Sequence, residues 1–421
     1  MFLGKTSSVR RFASLCNSVI VFDEVQSLPN KMLTLFNLTI NFLVKKCHAT
    51  VILCSATQPS FENAEHKLLN EVSDLITLPS ETLKVFERVE LVDKGSMSME
   101  ELSDFALEII RSKKSLLVVC NTKREAKELY ENLQAEVNNT VPMYHLSASM
   151  CTKHRKMIVE SMKIDLSLPD PKQIVCVATQ VIEAGVDISF KCVIRLQAGM
   201  DSVVQAAGRC NRNGENKLES VYIVNLLGEK LHRLKEIETA KGATESLLQE
   251  VKIKKHYTSL NSDAAISFYY RKLYSKMDKG EQDFLVPNLH KSLYGLLNQH
   301  DVADGYFLAQ QLKTVGKYFN VFDNNTVEMI VPYGKGQDVI SELNSEKAMY
   351  NFVYAEEVIK QATGYTVTCY QYQIEKLKEG NKDAAVIYND YFGIYILNDS
   401  AYYDDKLGLN LDAIGGEGVF Y

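Results

Sequence analysis

The sequence predicts an α/β protein built on parallel sheets, and three features carry that expectation. Short β-branched runs recur between stretches whose apolar residues keep helical spacing. A strand that passes through a helix to the next strand of one sheet requires parallel pairing. The runs also stop abruptly at acidic, hydroxyl or small residues, which places polar side chains at the strand ends where open α/β sheets bind ligands. A length of 421 residues with 46% hydrophobic content suits about two or three domains with sizeable cores. The net charge of −6 and pI near 5.9 exclude a globally basic nucleic-acid coat, so any contact with nucleic acid must come from a local groove. Nine cysteines stand singly, without a CxxC pair or metal-like spacing with histidine, and read as reduced thiols. The start MFLGKTSSVRRF lacks an apolar h-region, and no stretch offers the roughly 18 apolar residues of a membrane span. A cytoplasmic protein with no membrane partner is the expectation.

In chain order, SVIVF at Ser18 to Phe22 predicts a buried strand that ends at Asp23 and Glu24. QSLPN then supplies turn residues. Lys31 to Lys46 carries an apolar helical face through Met32, Leu35, Phe36, Thr39, Phe42 and Leu43, and a strand from Thr50 to Cys54 ends in Ser55, Ala56 and Thr57. After a variable stretch, in which Phe86 to Leu91 passes between domains, the rhythm resumes. Helices are expected at Met99 to Arg111, Lys123 to Asn132 and Cys151 to Met162; strands at Leu116 to Cys120, Pro142 to Leu146, Ile174 to Val177, Cys192 to Leu196 and Val221 to Asn225. A helix is expected to hold Gln205. Beyond it come a long charged helix, about Glu229 to Lys255, and a mixed α+β region with strands near Thr366 to Gln371, Ala385 to Tyr388 and Gly393 to Leu397.

Four motifs carry chemistry. In DEVQ, Asp23 and Glu24 follow a strand, and a backbone turn there lets one carboxylate hold a hard cation while the other orients water. SAT, Ser55 to Thr57, taken alone is a helix-capping pattern. ATQVIEAGVDIS, Ala178 to Ser189, places the Thr179 hydroxyl and backbone amides where a phosphate binds, followed by Glu183, Gly185 and Asp187. QAAGRCNRNGE, Gln205 to Glu215, sets Arg209 and Arg212 three apart, so that on a helix they share a face. A fork of guanidinium donors on one face suits the spread charge of a phosphoryl group in transfer.

The joint order of DEVQ, SAT, CNT at Cys120 to Thr122, ATQVIEAGVDIS and QAAGRCNR resembles superfamily 2 helicases, whose two RecA-like domains clamp ATP between them. More narrowly, DEVQSLP, ATQVIEAGVDIS and QAAGRCNRNGE look like the type I CRISPR-associated helicase-nuclease, which degrades target DNA opened by a surveillance complex in antiviral defence. The resemblance implies a partial first RecA-like domain at 1–90, a second at 91–228, and a linker helix with an accessory C-terminal domain at 229–421. It makes Asp23 the magnesium ligand, through water, and Glu24 the base that activates water. Ser55 and Thr57 couple the ATP state to DNA, and Thr179 lies by the DNA backbone. Asp187 lies by the ribose of ATP, while Gln205, Arg209 and Arg212 reach its phosphates, with Arg212 as the arginine finger. The implied partners are single-stranded DNA and the surveillance complex. A DEAD-box RNA helicase is disfavoured, because Gln26 stands where that group has Asp.

The sequence departs from that family in two places. The Walker A loop GxxxxGK[ST] does not occur; Gly4, Lys5 and Thr6 spell GKT, but no glycine stands five places earlier and no strand leads into it. The family's nuclease, a histidine-aspartate metal domain, lies before the helicase and is not assigned here; His300 and Asp301 form an isolated HD pair without partner histidines at metal spacing, and read as a loop or cap. Two readings therefore stand: the C-terminal part of an ATP-dependent DNA helicase, contributing half of the ATP site and most of the second RecA-like domain, or a truncated or separately encoded segment that binds nucleic acid or a partner but cannot turn over ATP alone, for which a separately encoded N-terminal helicase or nuclease part is the expected partner.

Overall fold

The structure, a computed structural model, describes residues 2, 6–69, 72–137, 141–168, 173–183, 185–232, 234–254, 257, 259–278, 280–298, 311–321, 326–380, 385–390 and 392–411. Gly4 and Lys5 of the GKT sequence, and the His300 and Asp301 pair, lie outside the described residues. The chain divides into two compact units. One comprises Met1–Glu87, Gln197–Gln205 and Glu229–Phe322; the other comprises Arg88–Leu196, Ala206–Gly228 and Asp323–Tyr421. The stretch read from sequence as one region, 229–421, is thus shared between both.

In the first unit, α1 (Thr6–Ala13) precedes β1 (Val19–Phe22), and α2 (Leu33–Cys47) leads back to β2 (Thr50–Leu53). The two strands pair in parallel, Val19 with Thr50 through Phe22 with Leu53, as the strand–helix–strand pattern demands. Leu35 and Leu43 of α2 are buried, but Val19 and Val21 are 68% and 58% exposed, so one face of this parallel pair is open. A short helix α3 (Ser80–Val85) ends the first segment. Later helices α8 (Lys235–Lys254) and α9 (Asp263–Lys276) pack together, and the short strands β9 (Leu285–Val286) and β10 (Lys291–Ser292) form a hairpin in the same unit.

The second unit is built on a six-stranded parallel sheet in the order β3-β8-β7-β4-β6-β5. Its strands are β3 (Val89–Met97), β4 (Ser115–Val119), β5 (Met143–Leu146), β6 (Ile174–Ala178), β7 (Cys192–Leu196) and β8 (Glu219–Leu226). The central strands SLLVV, IVCVA and CVIRL are buried at every residue, because helices α4 (Met99–Ser112), α5 (Lys123–Val137) and α6 (Thr152–Leu166) cover the faces. Helix α4 starts where its sequence says it should: Ser98 and Glu101 form a reciprocal capping box. A smaller mixed sheet ordered β12-β11-β14-β13 follows, from β11 (Thr326–Ile330), β12 (Thr366–Tyr370), β13 (Val386–Asn389) and β14 (Ile394–Leu397), with the hairpin β15 (Tyr403–Asp404) and β16 (Gly408–Leu409).

The α/β class with parallel sheets is as expected, but several elements are not. The stretch expected to pass between domains does contain the division between the units, at Glu87 and Arg88, but it then enters β3, whose VELVDKGSM is too polar to read as sheet; it is an edge strand and needs apolar residues on one side only. Strand β11 is likewise absent from the sequence expectation. Helix α7 (Met200–Ala207) ends before Arg209, so Arg209 and Arg212 do not share a helical face. The chain turns at Gly208, Cys210 bridges to Phe190, and Asn211 takes a left-handed φ of 47°, a conformation asparagine tolerates and a helix cannot continue through.

Candidate functional site

The acidic pair emerges from β1 as the strand's C-terminal end requires. Glu24 is left-handed, φ 52° and ψ 43°, a costly conformation for a non-glycine residue that re-aims the chain directly after the strand. Its N–H donates to Asp23 Oδ1 at 2.9 Å, and both carboxylates remain exposed. Gln26 then ties the two motifs of this unit: its Nε2 donates to Glu24 Oε2, and its Oε1 accepts from Ser55 Oγ at 2.5 Å. Ser55 Oγ also accepts the Thr57 N–H at 3.2 Å, and Val25 N–H donates to Cys54 O at 3.1 Å, so DEVQ and SAT lie against each other as adjacent parallel strands would bring them. Thr57, 2% exposed, meets the hydroxyl of Tyr270 on α9 at 3.1 Å. Burial pushes the Tyr270 phenol well up, so it stays protonated and hydrogen-bonding.

In the second unit the signatures gather at the C-terminal ends of β4, β6 and β7. Thr179, 6% exposed, follows β6 and opens a turn at Gln180–Ile182. Arg209, 7% exposed, grips that turn: its Nε donates to Ile182 O at 3.0 Å and a terminal nitrogen donates to Glu183 O at 2.5 Å. The Glu183 carboxylate pairs with Arg195 Nε at 3.0 Å, with both side chains sealed from solvent. One terminal nitrogen of Arg195 is shared among Asn121 Oδ1 at 2.7 Å, Leu196 O at 2.9 Å and Val119 O at 3.2 Å. A charge in a protein interior is tolerated when paired and hydrogen-bonded, as this one is.

Arg212 and Asp187 stand apart from that core. They pair with each other, Nε to Oδ1 at 2.9 Å, with side chains 43% and 77% exposed. Arg212 N–H donates to Ser189 Oγ at 3.0 Å, and the Arg88 guanidinium donates to Arg212 O. Asn211 anchors the turn by donating to Arg88 O at 3.0 Å and Asn216 O at 2.7 Å. Gln205 is half-buried in the last turn of α7.

The structure therefore brings Asp23, Glu24, Ser55 and Thr57 together in one unit, and Thr179, Asp187, Arg209 and Arg212 in the other. Arg209 is committed to carbonyls of the turn after β6, which makes it a buried brace of the Thr179 segment. Sequence reading passed over Arg195, Asn121, Gln26 as a bridge, and Tyr270. One signal was available: an arginine inside the apolar run CVIRL requires a buried carboxylate, and Glu183 is the acid of the neighbouring motif.

Residues 112–215 match the family model described as CRISPR-associated nuclease/helicase Cas3, C-terminal. The chain is 28% identical over 225 residues to a CRISPR-associated nuclease/helicase Cas3 of Methanothermobacter thermautotrophicus, a match covering 51% of this chain and 26% of the relative. It is 29% identical over 216 residues to a putative protein of that name from Methanocaldococcus jannaschii, covering 48% of this chain and 28% of the relative. These matches span about a quarter of the relatives' own length. Among solved structures, T. fusca Cas3 with ATP superposes with a TM-score of 0.61 at 15% identity, over 94% of this chain and 52% of that one. At that identity the likeness shows the fold. Residues 112–215 are thus similar to the C-terminal part of the Cas3 helicase-nuclease family, two curated members of that name match about half of this chain, and the fold is shared with a solved Cas3 structure.

Proposed function

We propose that this chain is the C-terminal helicase part of a CRISPR-associated, ATP-dependent DNA helicase-nuclease, coupling ATP hydrolysis to movement along single-stranded target DNA in antiviral defence. The observation that carries the reading is Gln26, which hydrogen-bonds Glu24 on one side and Ser55 on the other. A side chain that touches both the water-activating carboxylate and the SAT loop can pass a change at one to the other. Glu24, exposed after a left-handed turn, acts as base toward the attacking water. Asp23 fits a magnesium site: it is an exposed carboxylate at a strand end with one oxygen engaged by a backbone N–H, and Mg²⁺ takes one or two carboxylates with waters and phosphate oxygens. The ion supplies neutralisation of phosphate charge. Thr179 meets the DNA backbone, Asp187 the ribose, and Gln205 and Arg212 serve the phosphate side, with Arg212 as the finger, while Arg209 supports that side through the turn it braces. Arg212 must leave Asp187 to do so, and an exposed pair of this kind holds by only about 0–1 kcal/mol.

The domain assignment 1–90, 91–228 and 229–421 belongs to the same reading. So do a cytoplasmic location and a CRISPR surveillance complex as partner; one solved neighbour, with a TM-score of 0.53 at 14% identity, is a CRISPR RNA-guided surveillance complex before nicking. A second reading is favoured by one observation, that GxxxxGK[ST] does not occur in the sequence. Without those amides and lysine the β- and γ-phosphates are not held. The chain alone then binds nucleic acid or a partner without turnover, and ATP hydrolysis requires the Walker A strand and loop to be supplied to it.

One experiment tests both: DNA-stimulated ATP hydrolysis by the purified chain, with and without a segment carrying the Walker A strand and loop. Activity on mixing only, reduced about 10²-fold or more by Glu24→Gln, is expected. Robust hydrolysis by the chain alone overturns the second reading, and near-normal turnover in the variant overturns the role of Glu24.

A further inference from the structure

Cys16 and Cys47 play no part in the machinery above, yet the fold brings them together in the first unit. Cys16 closes the segment after α1, and Cys47 is the last residue of α2. Each is followed by a left-handed non-glycine residue, Asn17 at φ 55° and His48 at φ 52°, so both chain segments reverse at the same place. Asn17 N–H donates to Cys47 O at 2.8 Å, and Thr50 N–H donates to Ser18 O at 2.9 Å, which fixes the two segments side by side. The Asn17–Cys47 contact brings the residue after Cys16 onto Cys47 itself, and the nearby Cys16 thiol raises that of Cys47. Cys16 is exposed, whereas Cys47 is 7% exposed within a cluster that includes Phe12, Leu15 and Ile20. Of the nine cysteines, Cys16 alone is fully open to solvent.

We propose that Cys16 and Cys47 form a reversible disulfide, a thiol–disulfide exchange site that staples the start of β1 to the end of α2. Cys16, the accessible sulfur, attacks as thiolate one sulfur of a low-molecular-weight disulfide such as glutathione disulfide; that S–S bond breaks, one small thiol leaves, and a mixed disulfide remains on Cys16. Cys47 Sγ, already beside it, then attacks the Cys16 sulfur and releases the second small thiol. Two cysteine thiols and one small disulfide thus become one protein disulfide and two small thiols. Burial, and after it the neighbouring Cys16 thiol, hold the Cys47 thiol above its ordinary value, so Cys47 suits the resolving step rather than the first attack. The bond closes the loop that contains all of β1, the acidic pair and α2, and its effect on stability comes mainly from restricting the unfolded chain.

The test treats the folded full-length chain with glutathione disulfide, quenches it, unfolds it, alkylates the remaining thiols and maps peptides. The expected result is one linked peptide pair, Cys16 with Cys47, a fall from nine alkylatable cysteines to seven, and return to nine after dithiothreitol. The melting temperature should rise on oxidation in the parent and stay unchanged in Cys16→Ser. Glutathione retained on Cys16 with Cys47 still alkylatable, or linkage of a different pair, overturns the proposal. Cys47→Ala supplies the control for trapping: it should accumulate the mixed disulfide on Cys16, and no adduct there would equally overturn it.

Discussion

In the first unit Asp23 and Glu24 stand exposed at the end of a two-stranded sheet, held by local hydrogen bonds through Gln26, Ser27 and, beyond Gln26, Ser55. In the second unit the turn that Thr179 opens is held by Arg209, Glu183 and Arg195, all buried at the C-terminal ends of strands of a six-stranded sheet. The same task, fixing polar residues at parallel strand ends, is met by local turn geometry in one place and by a desolvated charge network in the other. Each solution tolerates a different kind of change. An exposed, locally bonded site can exchange partners at small cost, whereas a buried charge network resists change because removing one member strands another.

The largest expected effect tests the buried network. Arg195→Ala removes the buried guanidinium that pairs with the Glu183 carboxylate and bonds Asn121, and should cost about 3–5 kcal/mol in urea unfolding. A loss no larger than that of an exposed lysine would break the comparison. Acid should expose the same unit through His145 on β5. Burial first, and then His154, lower its ring from 6.5 to about 4, while its Nδ1 lacks a hydrogen-bond partner. The folded value is depressed, so the unfolded chain takes up the proton first. The contribution is full above pH 6.5 and is lost as pH falls through about 4. The effect is on the order of 3 kcal/mol, and His145→Gln should flatten that limb of stability against pH; an unchanged limb would remove His145 as its cause.

At the exposed pair the comparison sharpens. Arg212→Lys should shift stability by about 1 kcal/mol or less, yet ATPase of the mixed protein should fall by about 10²-fold or more, because an ammonium cannot replace a planar fork on phosphate. Equal fractional loss of stability and activity would mean that Arg212 is structural. The smallest effect is expected of Asp187→Asn, which frees Arg212: stability within about 0.5 kcal/mol, read by thermal unfolding.

Much of this was legible along the chain, and the failures have physical causes. Central strands such as SLLVV and IVCVA announce themselves because a parallel strand buried on both faces must be apolar throughout. β3 was hidden because an edge strand carries a weaker pattern, and β11 because a short TVEMI resembles many loops. The helix expected through Arg212 failed on Gly208 and on Asn211, whose left-handed backbone is offset by bonds to Arg88 and Asn216, residues remote or downstream in sequence. Helical spacing alone gives no hint of such an exit.

What the sequence determined by itself was the α/β class, the parallel pairing and the identity of the polar residues at strand ends, because burial periodicity and crossover geometry are local consequences of residue order. What only the tertiary structure decided was which of those residues face solvent and which are committed to each other. Arg209 and Arg212 are one helical turn apart in sequence, but one braces carbonyls in the core and the other pairs with Asp187 in solvent. That division rests on where the chain leaves α7 and what lies beneath it, and a guanidinium's partners are set by three-dimensional desolvation, which no spacing rule contains.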